Sequence, residues 1–544
     1  MNVATPKNLL RLAALTICCG FSCLLLTVRA EPTEGAWNFE RVGMATLPDG
    51  QLDLASFSKL SPWPYTDGNY LYSGCYDPSP LDKTHPAPDR CIMTVDVSDP
   101  LNPVRLATVP NFDPVESPSP PPGHYVWASD YPHSAPPIRV PCKVNWDDPE
   151  IVSGRAPPPC WDPGWNSHNH YAQSGPDNLL AANQERYRGG TSRMPTYHGV
   201  KFFDIRDRAN PRFLSYWEAP TSPPNPATGI YPDARGTHHF NFDGPYLYLG
   251  TEYEGYIGKI LVILDVRDPD NPVEAGKWWI PGQKTPEEDD IRDWVQQSSF
   301  SNPVVRSDDG RWTKHVGMHY PTVEDDIAYL SYHQAGLVIL DVSDRSNPKL
   351  LSRTDYLIPG ADDTNPDIAV CQTAAGRDQA ACGNTHAAKR IPDTDLLIVS
   401  DEYFTCPFGH VRLYDVANPR SPELLSHFTT DQNAACDPVR PLQSADPARF
   451  PRRGPSSHLG NPLNDDIYLM AWYGNGVQAI DISDPRNPKS AGHYNYRIDR
   501  DLDRRDPQYA GSDTYDVIIG RDNYLYVSDG TSGLRVLRYT GARN

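Results

Sequence analysis

Residues 337–348 read LVILDVSDRSNP, and residues 261–272 read LVILDVRDPDNP. The phrase recurs as IMTVDVSDPLNP from Ile92, VKFFDIRDRANP from Val200, VRLYDVANPRSP from Val411 and VQAIDISDPRNP from Val477. A seventh copy, LRVLRYTG from Leu534, starts and then breaks off. The Asp closing each apolar run is Asp96, Asp204, Asp265, Asp341, Asp415 or Asp481, with Arg538 in the seventh place. Repetition at a rough period decides the architecture before any other signal does.

The surroundings of one copy show what a unit contains. From His239, HFNF alternates apolar and polar residues, DGP makes a turn, and YLYLG is a second β-rich run. After a polar loop, ILVILDV is a continuous apolar run suited to a buried strand, and RDPDNP is a turn set by Asp and Pro. VEAGKWW is a fourth run. Four short strands per unit describe a propeller blade, and one blade cannot bury both its faces alone. The abundance of proline (57) and glycine (38) fits an all-β chain with many turns.

The count of copies predicts a single seven-bladed β-propeller. The seventh copy stops after its third strand, whereas AWNFERVGMATL at 36–47 matches fourth-strand segments such as PKLLSRT and PVRLATV. The N-terminal strand is therefore expected to complete the last blade, closing the ring and removing an exposed sheet edge. The longest interval between copies holds an insertion near 112–162, with ESPSPPPGHY and two cysteines. It lacks a third-strand phrase and reads as a loop, so residues 31–544 form one domain.

Residues 1–30 read as a signal peptide: Lys7 and Arg11, then LAALTICCGFSCLLLTV, then VRA before Glu31. The expected mature protein is exported, secreted or periplasmic, and not membrane-bound. Its net charge changes from −20 to −23 on cleavage, which argues against nucleic acid and anionic membranes as partners. Eight cysteines remain, an even number that favours disulfides in an exported chain. Cys75–Cys91, Cys142–Cys160, Cys371–Cys382 and Cys406–Cys436 are the simplest pairing, although sequence does not fix it.

These third-strand phrases resemble the LVIVD repeat family, over nearly the whole mature chain. The resemblance implies a β-propeller and says little about activity, because function belongs to sites rather than folds.

A candidate site comes from the histidines. First strands begin at SHNHY (His168, His170), THHF (His238, His239), KHVGMHY (His315, His319), NTHAA (His386) and SSHLG (His458), followed by SDTYD with Tyr515 in blade 7. First strands are innermost in a propeller, so five adjacent blades aim imidazoles at one mouth of the channel. The aligned ends of the second strands supply Glu185, Glu252, His333 and Glu402. Imidazole suits zinc, copper, iron and nickel, and a ligating His usually donates its other ring proton to a carboxylate or carbonyl. His170, His239, His319, His386 and His458 are the expected metal ligands, with His238, His315 or His333 as alternates. The three glutamates are expected behind them. Tyr515, Glu402 and Glu252 are candidates for catalytic roles, and Tyr320, Tyr253 and Trp472 for lining the pocket. The acidic turns lack the ligand alternation and closing Glu of a calcium loop.

Carotenoid-cleaving dioxygenases (iron) and selenium-binding-type methanethiol oxidases (copper) offer analogies of ligand logic without a shared motif. The expectation is an exported, monomeric, metal-dependent oxidoreductase of oxidase or oxygenase type acting on a small molecule. Copper is slightly preferred over iron because of the oxidising compartment. The alternative is a non-enzymatic propeller that binds a ligand or protein at the cell surface.

Overall fold

The computed structural model describes residues 36–44, 65–66, 68–74, 91–110, 167–168, 171–186, 199–220, 236–256, 258–281, 283–284, 295–296, 304–306, 313–315, 317–333, 335–354, 384–402, 409–430, 456–495, 514–529 and 533–541. The expected signal peptide, the 112–162 insertion and the thiols of the four expected cysteine pairs lie outside these residues.

Each repeated phrase is the third strand of a four-stranded antiparallel sheet. In blade 3, Thr237–Asp243, Tyr246–Glu252, Lys259–Asp265 and Val273–Trp278 pair in sequence order. Blades 4, 5 and 6 repeat this with third strands Leu337–Asp341, Val411–Asp415 and Val477–Asp481. Blades 1 and 2 do so with Cys91–Asp96 and Gly199–Asp204. The apolar run is continuous because both faces of the strand are covered by neighbouring blades. In blade 3, Ile260, Val262 and Leu264 face one core cluster while Leu261 and Ile263 face the next.

The acidic end of the phrase has a local cause. Asp204 Oδ1 accepts the backbone N–H of Arg206 at 3.0 Å, and Asp207 Oδ1 that of Ala209 at 3.0 Å. The same two successive Asx turns follow Asp96, Asp265, Asp341, Asp415 and Asp481. The turns also join blades. Ser215, Ser352 and Ser426 on the fourth strands donate to the carbonyls of Pro269, Pro419 and Pro485 on the next blade. Where blade 3 has Gly276 instead, a Cβ would lie 2.0 Å from the Arg345 carbonyl oxygen, so only glycine fits.

The ring closes as the sequence predicts. Phe39–Met44 pairs antiparallel with Gly533–Tyr539 and becomes the fourth strand of blade 7. In addition, Ala36–Trp37 pairs with Lys489–Tyr494, the outer strand of blade 6. Asn38 turns the chain between the two sheets at a φ of 58° and donates its side-chain amide to the Ala491 carbonyl at 2.8 Å. A three-stranded sheet of Val295–Gln296, Val304–Arg306 and Thr313–His315 is also added between blades 3 and 4.

Candidate metal centre

The first strands of blades 3 to 7 all start with a bulge, which has the same consequence each time. In blade 5, Thr385 pairs with Asp401 and Ala387 with Ser400, so His386 is the extra residue. In blade 7, Thr514 pairs with Asp529 and Asp516 with Ser528, leaving Tyr515. His458 N–H donates to the Ala471 carbonyl while Ala471 N–H donates to Leu459. His319 and Tyr320 likewise both face Ser331. In blade 3 two residues, His238 and His239, sit between the pairs Thr237–Thr251 and Phe240–Leu249. A bulge re-aims a side chain at a sheet end, and here it aims five histidines and a tyrosine.

The rings form an arc from blade to blade. Centroids are 4.5 Å apart for His238–His319, 3.9 Å for His319–His386 and 4.2 Å for His386–His458. His239 lies 4.7 Å from His238 and 4.8 Å from His319. Tyr473 continues the arc at 4.6 Å from His458, and Tyr515 stands 5.9 Å from His458. Donor atoms fall into two groups, His238 with His239 and His319, and His386 with Glu402 and His458. Within each group all atoms lie within 4.8 Å of one another.

Hydrogen bonds orient these rings. His319 Nδ1 bonds the His386 carbonyl at 2.8 Å, and His458 Nδ1 bonds the Tyr515 carbonyl at 2.5 Å. A carbonyl only accepts, so both Nδ1 atoms carry a proton, and in the neutral imidazole the lone pair then sits on Nε2. His238 Nδ1 contacts Glu185 Oε2 at 2.7 Å, and Lys259 holds the other carboxylate oxygen at 3.0 Å. Neither ring nitrogen of His386 completes a well-formed hydrogen bond, although the His458 backbone lies close enough to favour the protonated ring. Its Nε2 lies 3.5 Å from Glu402 Oε2, while His458 Nε2 lies 3.7 Å from Glu402 Oε1. The Tyr473 hydroxyl donates a short hydrogen bond to the same Oε1.

Burial, reinforced by the neighbouring imidazoles, pushes the pKa values of His239 and His319 well below the usual histidine range. Burial also lowers that of His386, against an opposing pull from Glu402. The unfolded chain therefore takes up these protons near pH 6.5, whereas the folded chain resists doing so. Their contribution to stability is present above pH 6.5 and is lost as pH falls. Thermal melts of metal-free protein should show a falling midpoint between pH 7 and pH 5. His319→Gln/His386→Gln should flatten that dependence, and an unchanged slope in the variant would overturn the assignment.

Two backbone outliers accompany the site. His333 and Tyr473 have φ values of 47° and 33°. Such strain costs about 1–3 kcal/mol per residue and collects at functional positions. Both lie at the end of a second strand, where isolated bridges His333–Thr385 and Tyr473–Thr514 tie them to the next blade's first strand. That places the His333 ring 4.9 Å from His319 and the Tyr473 ring beside His458.

The positions named from sequence are not all together. His239, His319, His386 and His458 share the arc, and His170 and the side chain of His315 lie outside the described residues. His238, an alternate, is a member of the first donor group. Glu185 contacts the His238 ring, whereas Glu402 lies directly beside two imidazoles. Glu252 is buried and joins neither group. Tyr320 lies 5.0 Å from His239. Two pocket candidates are misplaced. Trp472 is fully buried in a core cluster against Phe428, because successive strand residues face opposite sides. Tyr253 bonds Glu274 on the outer strand of its own blade. The residue overlooked is Tyr473, although it occupies the same aligned register as Glu402.

Comparison with known families agrees with the repeated third strand. The LVIVD repeat description matches residues 322–355 and 469–496, within blades 4 and 6. The chain carries LVIVD repeats. These matched LVIVD repeats contain His333 and Tyr473, the two strained residues at the arc. No curated protein matches the chain. Among solved structures, Sqt1 of Saccharomyces cerevisiae is 7% identical with a TM-score of 0.42, covering 93% of this chain and 100% of that one. Sqt1 of Chaetomium thermophilum is 7% identical with a TM-score of 0.41, covering 92% and 98%. The computationally designed Ika8 protein is 10% identical with a TM-score of 0.41, covering 91% and 99%. Similarity this slight supports no conclusion about this LVIVD-repeat chain.

Proposed function

We propose that this propeller is an exported, metal-dependent oxidoreductase of oxidase or oxygenase type, with copper or iron bound at the histidine arc. The observation that carries the reading is the arc itself. The His239, His319, His386 and His458 rings are buried, His239, His319 and His386 are held neutral, and the Nδ1–H···O=C bonds of His319 and His458 leave Nε2 as the nitrogen able to ligate. Buried imidazoles without a function would be an expense in stability, whereas a metal ion uses their lone pairs.

The chain's own residues divide the remaining work. Glu402 and the Tyr473 hydroxyl form a carboxylate–phenol pair able to pass a proton at the edge of the site. The Tyr515 and Tyr473 rings, 5.4 Å apart, wall one end of the arc. The Tyr171 and Tyr320 rings wall the other beside His239. A bound ion would supply redox or Lewis-acid chemistry to a small substrate. The leader-like residues 1–30 and the eight cysteines beyond them, an even number, support an oxidising compartment.

The test is elemental analysis of untagged protein exported by its host. Copper or iron near stoichiometry is the expected result. Zinc would overturn the redox assignment, and a metal-free protein that also fails to take up added metal would leave the ligand-binding propeller as the better reading.

A further inference from the structure

We infer that the mouth holds two metal ions in unlike sites, one on His238, His239 and His319, the other on His386, His458 and Glu402. This rests on the metal-centre reading and goes further, assigning both the number of ions and the donors of each.

The grouping of the donors argues for two. An ion with bonds of about 2.0–2.1 Å to nitrogen gathers donors no more than about 4 Å apart. The donor atoms separate into two groups of three, His238 with His239 and His319, and His386 with Glu402 and His458, each within 4.8 Å, rather than into one group of six. One ion would have to draw donors from both groups together. Six donors in two compact groups match two ions with three protein ligands each, leaving open positions for substrate.

The two donor sets also differ chemically. The first is three imidazoles, with charge compensation one step removed in Glu185, which Lys259 anchors. That set suits copper or another borderline ion. The second contains a carboxylate, so its ion is neutralised within the site, and two imidazoles with one carboxylate suit iron(II) and similar harder ions. Tyr473 grips one Glu402 oxygen, which limits rotation of the carboxylate between the two imidazoles. Two adjacent ions can clamp one substrate from both sides.

Metal-free protein titrated with Co(II), followed by visible absorption and by metal content after desalting, tests this. Wild type should hold two equivalents. His238→Ala should keep one, and Glu402→Gln should keep the other. Both positions are partly exposed and the second change is nearly isosteric, so folding should survive and far-UV circular dichroism will report it. The Co(II) spectra of the two variants should differ, since one retains the mixed donor set and the other the all-imidazole set. A single wild-type equivalent would overturn the two-ion inference while sparing the metal centre. Loss of both equivalents in either variant would overturn the division into separable sites. Two equivalents retained in both would place the ions elsewhere, and none in wild type would remove the metal centre itself.

Discussion

A chain lacking residues 36–44 should lose its closed ring and most of its resistance to denaturant. Phe39 is buried against Tyr539, with centroids 5.3 Å apart, inside the cluster that includes Ile467, Val477 and Leu537. Removing a buried Phe forfeits about 3 kcal/mol of apolar burial. The ladder from Phe39–Tyr539 to Met44–Arg535 adds about 1 kcal/mol net per hydrogen bond. The pairing of Ala36–Trp37 with blade 6 goes as well. The sum is comparable with the roughly 5–15 kcal/mol that stabilises a typical domain. The exposed edge of Gly533–Tyr539 would then recruit other chains. Urea unfolding and light scattering measure both effects. A truncated chain that stays monomeric with an unchanged midpoint would refute the closure.

The double variant His319→Ala/His386→Ala should bind no metal yet remain folded. It removes one donor from each group, so the result does not depend on how many ions are present. Even the hydrogen-bonding partners of ligands are worth about 10- to 100-fold in affinity, so losing the ligands themselves should cost more. The fold should survive because each blade pair carries its own apolar cluster away from the channel. In metal-free protein the variant should melt at the same temperature or higher. The reason is that the His386 ring is buried with no well-formed hydrogen bond, only a weak approach to the His458 backbone, a condition that costs about 1–3 kcal/mol. Elemental analysis and thermal melting check the two halves. A variant that binds metal as wild type does would refute the site, and one that unfolds would mean the imidazoles hold the channel together.

The repeated phrase determined the fold because its information is local. An apolar run closed by Asp and followed by a second Asx turn specifies a buried strand and its exit without any distant partner. Counting copies then determined seven blades, and the missing fourth strand pointed to residues 36–47, of which Phe39–Met44 form the strand. Alignment within the repeat also brought His239, His319, His386, His458 and Glu402 together, since a propeller converts equal register into equal position around an axis. Tertiary structure decided what register cannot express. The bulges turn His386, His458 and Tyr515 toward the channel, and they depend on which residue of the second strand receives two partners. Left-handed backbone brings Tyr473 rather than its neighbour Trp472 to the site, and the bridge to Thr514 on the next blade accompanies it. Glu402 reaches imidazoles of two blades at once, whereas Glu252 in the same register joins neither donor group. Such contacts cross between sheets, where spacing along the chain carries no record of side-chain direction.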